Sequence, residues 1–253
     1  MTVFTLKVFA VFFMLIDHIA ILLYKKGYIH YDDYFVLRVL GRFSFPIYAF
    51  LLAEGFRHLK KDPKRLRDHA TLLLILLVIS EPLFDRVIHG TSHYYTGQSV
   101  IFTLLIGFAG LWLADSRREK PLFRVLICVL CGFACSMIAA DYRLAGIVLI
   151  FSCSAVLDRF DDWQFSKRLI AMFCVMFLYY LVLNWVGAGY DSPAAIWRHM
   201  RAMGLYGLPH LLVVPVLAAY NGRIGFRSQL LHRCYQWFYP VHLGLLCIAA
   251  AIL

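Results

Sequence analysis

Residues 5–24 read TLKVFAVFFMLIDHIAILLY, in which every position except Thr5, Lys7, Asp17 and His18 is apolar. An α-helix of about 20 mostly apolar residues is long enough to cross the hydrocarbon core of a bilayer. Asp17 and His18 stand where a cleaved signal peptide would have small residues. We therefore interpret this stretch as a transmembrane helix that is not a cleaved signal peptide.

The rest of the chain repeats this pattern. Its 253 residues are 62% hydrophobic and 16% charged, whereas soluble domains carry about 25% charged residues. Candidate spans lie at residues 5–24, 35–56, 70–88, 98–114, 121–139, 143–157, 169–187, 207–220 and 234–252. The spans at 143–157 and 207–220 are short for a full crossing. The sequence predicts an all-α, polytopic integral membrane helical bundle of about eight or nine transmembrane helices, with residues 1–253 as one domain.

Lys and Arg residues are distributed unequally between alternate loops. Sixteen Lys and Arg residues fall in segments on the same predicted side of the membrane as the amino terminus, and six fall in the loops on the other side. Cytoplasmic loops carry an excess of basic residues, so we expect the amino terminus in the cytoplasm. The net charge of +10 is then a feature of topology and of contacts with lipid headgroups. We do not expect a nucleic-acid partner.

Ionisable residues lie inside the predicted spans, where a charge costs roughly 2.5–3.5 kcal/mol and is retained only when paired or used. They are Asp17, His18, Arg38, Arg42, Glu81, Asp85 and His242. Arg42 could neutralise Asp17 or act on a substrate. Glu81 and Asp85 could relay protons or pair with Arg42 and Arg143. His242 follows Pro240 and could be structural or act directly.

Lys7 and His18 are eleven residues apart in the first span. Eleven helical steps return to within about 20° of the start and advance about 16 Å, so both side chains share one face. This separation suits an extended ligand with a phosphate at one end and a reactive group at the other. Alternatively, Lys7 is an interfacial anchor and His18 packs as a hydrogen-bonded helix residue.

Two local motifs predict irregular backbone near these charges. Pro46 follows Arg42 by four residues and can open the helix beside that guanidinium, because proline lacks a backbone donor. Asp141-Tyr142-Arg143 predicts a tight turn before the next span.

The basic loop at residues 57–69 contains Lys61 and Arg65. It could bind an anionic cofactor or serve as a solvated loop that fixes orientation. Cys128 and Cys131 form a C-x-x-C without a His or carboxylate beside them, so we expect no metal site.

Four segments carry a family resemblance: MLIDH (14–18), GRFSFP (41–46), LAG (144–146) and FYPVHL (238–243). Together they resemble the TraX family of conjugal-transfer proteins over the length of the chain. The resemblance implies an acetyltransferase of the bacterial inner membrane that acts on the amino terminus of pilin. The spacing of Lys7 and His18 also resembles the membrane acyltransferase-3 class, which uses cytoplasmic acetyl-CoA. By that likeness His18 is the catalytic histidine and Lys7 contacts the CoA phosphates.

We therefore expect three groups of site residues. The catalytic groups are His18, Asp17, Arg42, Glu81 and His242; the acetyl-CoA contacts are Lys7, Arg38, Lys61 and Arg65; the acceptor side has Asp85, Asp141 and Arg143. His18 would be the general base, with its tautomer fixed by Asp17, Glu81 or Asp85, and Arg42 would stabilise an oxyanion. A polar path would join Lys7 to His18.

Two other functions fit the same residues. One is an O-acetyltransferase that modifies a glycan of the cell envelope. The other is a small-molecule transporter or flippase whose path is lined by Asp17, Arg42 and Glu81. Dependence on acetyl-CoA separates the acetyltransferases from the transporter.

Overall fold

The computed structural model of the protein describes residues 1–91, 97–116, 120–160, 162–187, 210–226 and 228–253, with backbone only at 184–187. These ranges contain ten helices: α1 Val3–Lys25, α2 Tyr31–Gly41, α3 Ser44–Leu59, α4 Pro63–Ile88, α5 Val100–Asp115, α6 Pro121–Met137, α7 Arg143–Phe160, α8 Phe165–Gly187, α9 Val214–Ala218 and α10 Gln229–Ile252.

Four helical segments are long and apolar enough to cross a membrane. They are α1, the α2–α3 pair, residues 165–183 of α8, and α10, while α5 and α6 are shorter apolar helices. Many of their large apolar side chains face outward, including Leu245 and Phe133, as expected where lipid replaces water. The prediction of an all-α, polytopic membrane bundle is confirmed; a single domain over residues 1–253 stays a prediction.

The two short predicted spans, 143–157 and 207–220, have different structures. Residues 143–157 lie in α7, which packs against α3, α5, α6 and α8 and buries Ile147 and Leu149 completely. The described part of the stretch at 207–220 has helical residues at 210–211 and the five-residue α9, and residues 207–209 lie outside the described ranges. A helix of five residues rises about 8 Å, far less than a bilayer.

The predicted span at 35–56 is broken in two. Helix α2 ends at Gly41, and α3 begins at Ser44. The amides of Arg42 and Phe43 close the end of α2 by donating to Arg38 and Leu40 carbonyls at 3.1 and 3.2 Å. Pro46 is the third residue of α3, where its missing N–H leaves the carbonyl of Arg42 without a helical donor. The predicted opening beside Arg42 is confirmed.

Alternate loops gather at the two ends of the bundle. At the end where the chain begins, Lys60 Nζ lies 3.3 Å from Asp115 Oδ1 and 3.8 Å from Asp158 Oδ1, which joins three loops. Val3 N there donates to Arg223 O at 2.9 Å. These contacts place together the loops that hold most of the basic residues.

At the opposite end, the segment before α5 pairs with the turn before α7. Gln98 N donates to Ala139 O at 3.1 Å, and Asp141 N donates to Gln98 O at 3.0 Å. The Thr103 hydroxyl also donates to the Asp141 carbonyl. This clamp fixes the turn over the polar residues of α1 and α2.

Candidate active site

A cavity of about 770 Å³ lies at the end of the bundle opposite Met1, between α1, α2, α4 and the turn before α7. Six residues predicted for the site line it: Asp17, His18, Arg38, Arg42, Asp141 and Arg143. Residues that the sequence did not single out line it as well, namely Tyr34, Phe84, His89, Gln98, Tyr142 and His210. The charges of the first two predicted spans therefore do face a shared polar space.

Two buried imidazoles, one from α1 and one from α10, meet at this cavity. His18 Nδ1 lies 2.8 Å from His242 Nε2, and the planes of the rings differ by 7°. The exposed fractions of the two residues are 7% and 3%. The pair therefore has the in-plane geometry of a strong imidazole–imidazole hydrogen bond.

The surroundings of His242 decide which nitrogens carry protons. His242 Nδ1 lies 2.9 Å from the Phe238 carbonyl oxygen, which can only accept, so Nδ1 carries a hydrogen. In neutral His242 the other nitrogen, Nε2, is then the acceptor, and His18 Nδ1 must donate to it. This tautomer leaves His18 Nε2 with a lone pair. His18 therefore has the form that a general base requires.

His18 Nδ1 bonds to His242 and not to one of the carboxylates that were expected to orient it. Adjacent helix positions point about 100° apart, so Asp17 and His18 point in different directions. Asp17 is ion-paired with Arg38. Glu81 Oε1 accepts from the backbone N of Ser99 at 3.0 Å. The group that fixes the tautomer is the second imidazole, which comes from the other end of the chain.

The two arginines of the second span have separate partners. Arg38 pairs with Asp17, so the pairing that we considered between Asp17 and Arg42 is not the one that forms. Helix α2 packs along α1 as far as Gly41, where an added Cβ would stand 2.7 Å from Asp17 Cγ. This packing brings Arg38, rather than Arg42, to the Asp17 carboxylate. Arg38 also lines the His18 cavity, and Lys7 does not; the contact of Arg38 with acetyl-CoA stays a prediction.

Arg42 is held by the turn before α7. Its Nη1 donates to the Tyr142 hydroxyl at 3.1 Å, and its guanidinium carbon lies 5.5 Å from the centre of that ring. The Tyr142 ring stacks on Phe45, with centroids 3.8 Å apart and planes 6° apart. Burial raises the pKa of Tyr142 to about 12. The hydroxyl therefore stays protonated at neutral pH, and its oxygen accepts from Arg42.

The backbone of this turn is strained. Ala139, Tyr142 and Arg143 have φ values of 52°, 63° and 41°, in a region that side chains other than glycine rarely adopt. Strain of this kind persists where neighbouring contacts hold it, and it is concentrated at functional sites. Here the clamp from Gln98 supplies such contacts. The strained turn brings Asp141, Tyr142 and Arg143 to the cavity.

A second cavity, of about 930 Å³, lies between α1 and the start of α10. Lys7, His232 and Arg233 line one end, and no acidic residue is among the described residues around it. Its wall along α1 is apolar, with Val8, Val11, Phe12 and Leu15, and Phe238 of α10 lines it as well. The composition suits a ligand that is anionic at one end and slender and largely uncharged along its length.

Lys7 and His18 both face α10, as their spacing predicts. Lys7 Nζ lies 4.4 Å above the Tyr235 ring, and His18 bonds to His242, seven residues further along α10. The predicted continuous path between them stays a prediction: among the described residues, none lines both cavities. Phe238 lines the second cavity, and its ring stacks on His242 at 5.0 Å with planes 11° apart. His242 in turn bonds to His18, which lines the first cavity.

Five predicted residues line neither cavity: Glu81, His242, Lys61, Arg65 and Asp85. Glu81 and His242 have the partners described above. Lys61, in the turn between α3 and α4, and Arg65, in the first turn of α4, are both exposed. Asp85 is 3% exposed inside α4. Their contacts with acetyl-CoA or an acceptor stay predictions.

Helix α3 contains a buried carboxylate that was not predicted for the site. Glu54 is 3% exposed, and its Oε1 accepts from Tyr220 at 2.7 Å and from Arg57 at 2.9 Å, with His58 Nε2 at 3.0 Å. The rule that singled out Asp17 applies equally to an acid in the span at 35–56. Tyr142 had no such signal, because a tyrosine carries no charge at neutral pH.

Comparison with known proteins gives one family and one relative. The family model described as TraX protein matches residues 3–250. The Probable fimbrial assembly protein FimC, serogroup H1, of Dichelobacter nodosus is 31% identical over 261 residues, which cover 99% of this chain and 96% of that protein. No solved structure matches the chain.

Proposed function

The chain belongs to the TraX family, and from this membership we propose that it is a membrane-embedded acetyltransferase. It moves an acetyl group from acetyl-CoA to an acceptor on the other side of the bacterial inner membrane. The acceptor is the amino-terminal amine of a pilin. The name of the relative, a fimbrial assembly protein, supports an acceptor from the pilus.

The observation that carries this proposal is the imidazole pair at the polar cavity. His18 Nε2 has the free lone pair of a general base, and Arg42 lines the same cavity. A base and a cation around one space are the two groups that acyl transfer from a thioester requires.

The chain's own residues divide the reaction between them. The nitrogen of the acceptor amine bonds to the thioester carbon, and His18 Nε2 takes the proton that this nitrogen loses. His242 Nε2 accepts from His18 Nδ1–H throughout and so stabilises the imidazolium that forms. His18 then returns the proton to the sulfur as the C–S bond breaks. The base ends in its starting form, ready for another acceptor.

Arg42 stabilises the negative oxygen that develops between these two proton transfers. The Tyr142 hydroxyl accepts one Nη1–H of the Arg42 guanidinium. An arginine has five N–H donors in all. Removing one oxyanion donor costs about 2.7–4 kcal/mol in other acyl-transfer enzymes. We assign Arg42 this role and assign Tyr142 to positioning it.

The donor binds in the α1–α10 cavity. Acetyl-CoA supplies an activated thioester, and its phosphates match Lys7, His232 and Arg233 at a cavity end that has no described acid. Lys61 and Arg65 lie at the same end of the bundle and attract anions to it through the solvent. This assignment requires the amino terminus to be cytoplasmic, as the basic loops predict.

The acceptor enters the other cavity. Asp141 and Arg143 line it together with Gln98, at the end away from the basic loops. A carboxylate and a guanidinium there can orient the N–H of a neutral amine and a peptide carbonyl. The same arrangement of residues accepts a hydroxyl nucleophile. The assay below therefore distinguishes transfer to a glycan from transfer to a pilin amine.

The test is transfer by the purified protein in nanodiscs. Labelled acetyl-CoA is supplied with a pilin amino-terminal peptide, the same peptide with a blocked amine, or an envelope glycan, and free CoA and labelled product are measured. We expect label on the free-amine peptide. His18→Ala and Arg42→Ala should lose at least about a hundredfold in rate.

The matched control is His30→Ala, which changes an exposed histidine at the start of α2. It should transfer like the unchanged protein. Full transfer by a folded His18→Ala protein contradicts the mechanism. Failure to release CoA with any acceptor contradicts acetyl transfer and favours a transporter.

A further inference from the structure

Phe238 lies between the α1–α10 cavity and the imidazole pair of His242 and His18. It lines the α1–α10 cavity, and its ring lies parallel to the His242 imidazole at 5.0 Å. Leu15 of α1 lines the same cavity, one turn before His18. Together these two side chains form the inner end of the space that begins at Lys7.

This position matters if the α1–α10 cavity holds the acyl donor, so the inference rests on the proposed function. Reacting atoms must come within about 3–3.5 Å of each other in a productive complex. The acceptor cavity contains His18, whereas the donor cavity stops at Phe238. On the α10 side, an acyl group that travels from Lys7 toward His18 meets this ring and then His242.

We propose that Phe238 is the gate of the donor cavity and sets the length of the acyl group that the protein transfers. In the position seen here the ring closes the inner end, which keeps a thioester away from water in the acceptor cavity. When the ring is displaced, the space that it leaves admits a short acyl chain. An acetyl group fits the space of part of an aromatic ring, and a longer chain meets Leu15 or His242.

The helix beside Phe238 has a feature that permits such a displacement. Pro240 lies inside α10, and its missing N–H leaves the carbonyl of Gln236 without a helical donor. Helices bend most easily at such positions. The turn that carries Phe238 is therefore less firmly held than the turns on either side.

The gate predicts two measurable side reactions when the ring is made smaller. Water from the acceptor cavity can attack the thioester carbon; a C–O bond forms, the C–S bond breaks, and acetate and CoA are the products. A longer acyl group can also occupy the enlarged space. In both cases the donor reacts in a way that the intact ring prevents.

The experiment compares Phe238→Ala and Phe238→Leu with the unchanged protein in nanodiscs. CoA release from acetyl-CoA and from butyryl-CoA is measured by chromatography, with and without the acceptor peptide. We expect Phe238→Ala to raise acceptor-independent CoA release about tenfold. The preference for acetyl over butyryl in kcat/KM should fall about tenfold, since one methylene in a tight pocket is worth 10-fold or more.

The control is Trp237→Ala, which removes a neighbouring aromatic ring that is 41% exposed and lines neither cavity. It should keep the selectivity and the low leak of the unchanged protein. If Phe238→Ala does not fold, Phe238→Leu tests the gate, because leucine is also apolar but is shorter than phenylalanine. Unchanged leak and selectivity in a folded Phe238 variant overturn the gate. Absence of acetyl transfer in the unchanged protein instead overturns the proposed function.

Discussion

The hydrogen bond between His18 and His242 joins residues 224 positions apart and determines the chemistry of both. In many hydrolases a carboxylate orients the catalytic imidazole, but a carboxylate in a bilayer carries a charge that must itself be neutralised. A neutral imidazole accepts the same hydrogen without that cost. The Phe238 carbonyl then fixes the second ring, so a backbone group of α10 ultimately selects the tautomer of His18.

Replacing His242 tests this positioning. His242→Gln retains an oxygen that can accept from His18 Nδ1–H, whereas His242→Leu removes the acceptor. We expect kcat of acetyl transfer to fall about a hundredfold or more in His242→Leu, with KM for acetyl-CoA within about threefold. His242→Gln should recover at least about tenfold of that loss. Equal rates in the two folded variants would show that His242 only fills space.

At the scale of helices, the site depends on how closely α1 and α2 pack. The Arg38–Asp17 ion pair forms across this interface, beside Gly41. A Cβ at Gly41 would lie 2.7 Å from Asp17 Cγ, closer than packed atoms allow. The absence of a side chain at this position therefore brings the end of α2 against α1 and fixes where the chain opens beside Arg42.

Gly41→Ala should consequently destabilise the protein, by about 1–3 kcal/mol as overpacked interfaces do. Gly244→Ala is the matched control, because a Cβ there meets nothing within 4 Å. That change should be neutral or stabilise by about 0.5–1 kcal/mol, since alanine restricts the unfolded chain more than glycine does. Unfolding of both variants in detergent by heat or denaturant measures the difference. A Gly41→Ala protein as stable as the control would show that the helices separate there without cost.

For the whole molecule, the two ends of the bundle differ in charge and in the cavity that they open. The end with Met1 gathers Lys60 and the acidic residues that bind it, and the donor cavity begins there at Lys7. The other end carries the clamp between Gln98 and the strained turn. A reaction that draws its donor from one compartment and its acceptor from another needs this polarity.

The polarity predicts the orientation in the membrane. In a protein whose seven cysteines are replaced, single cysteines are introduced as Lys61→Cys and Tyr28→Cys, both at exposed positions of opposite ends. A membrane-impermeant maleimide added to intact spheroplasts should label Tyr28→Cys and leave Lys61→Cys unlabelled until the membrane is opened. The reverse pattern would place the basic loops outside and contradict cytoplasmic binding of the donor.

The class of protein and the shared face of Lys7 and His18 on the first helix could be predicted from the sequence. Hydrophobic length predicts helices that cross a bilayer, and the helical repeat places Lys7 and His18 on one side of α1, because both rules depend only on local geometry. Pro46 likewise predicts the opening beside Arg42. These inferences need no knowledge of what packs against the helix.

The partners of those residues follow only from how distant helices pack. Helical periodicity says that a side chain points toward the bundle interior, but it does not say which helix lies opposite or at what height. His242 therefore takes the place of the expected carboxylates beside His18, Arg38 takes the place of Arg42 beside Asp17, and Lys7 and His18 line two cavities that share no described residue. Each outcome depends on the rotation and offset of helices that are distant in sequence, and long-range packing alone sets those.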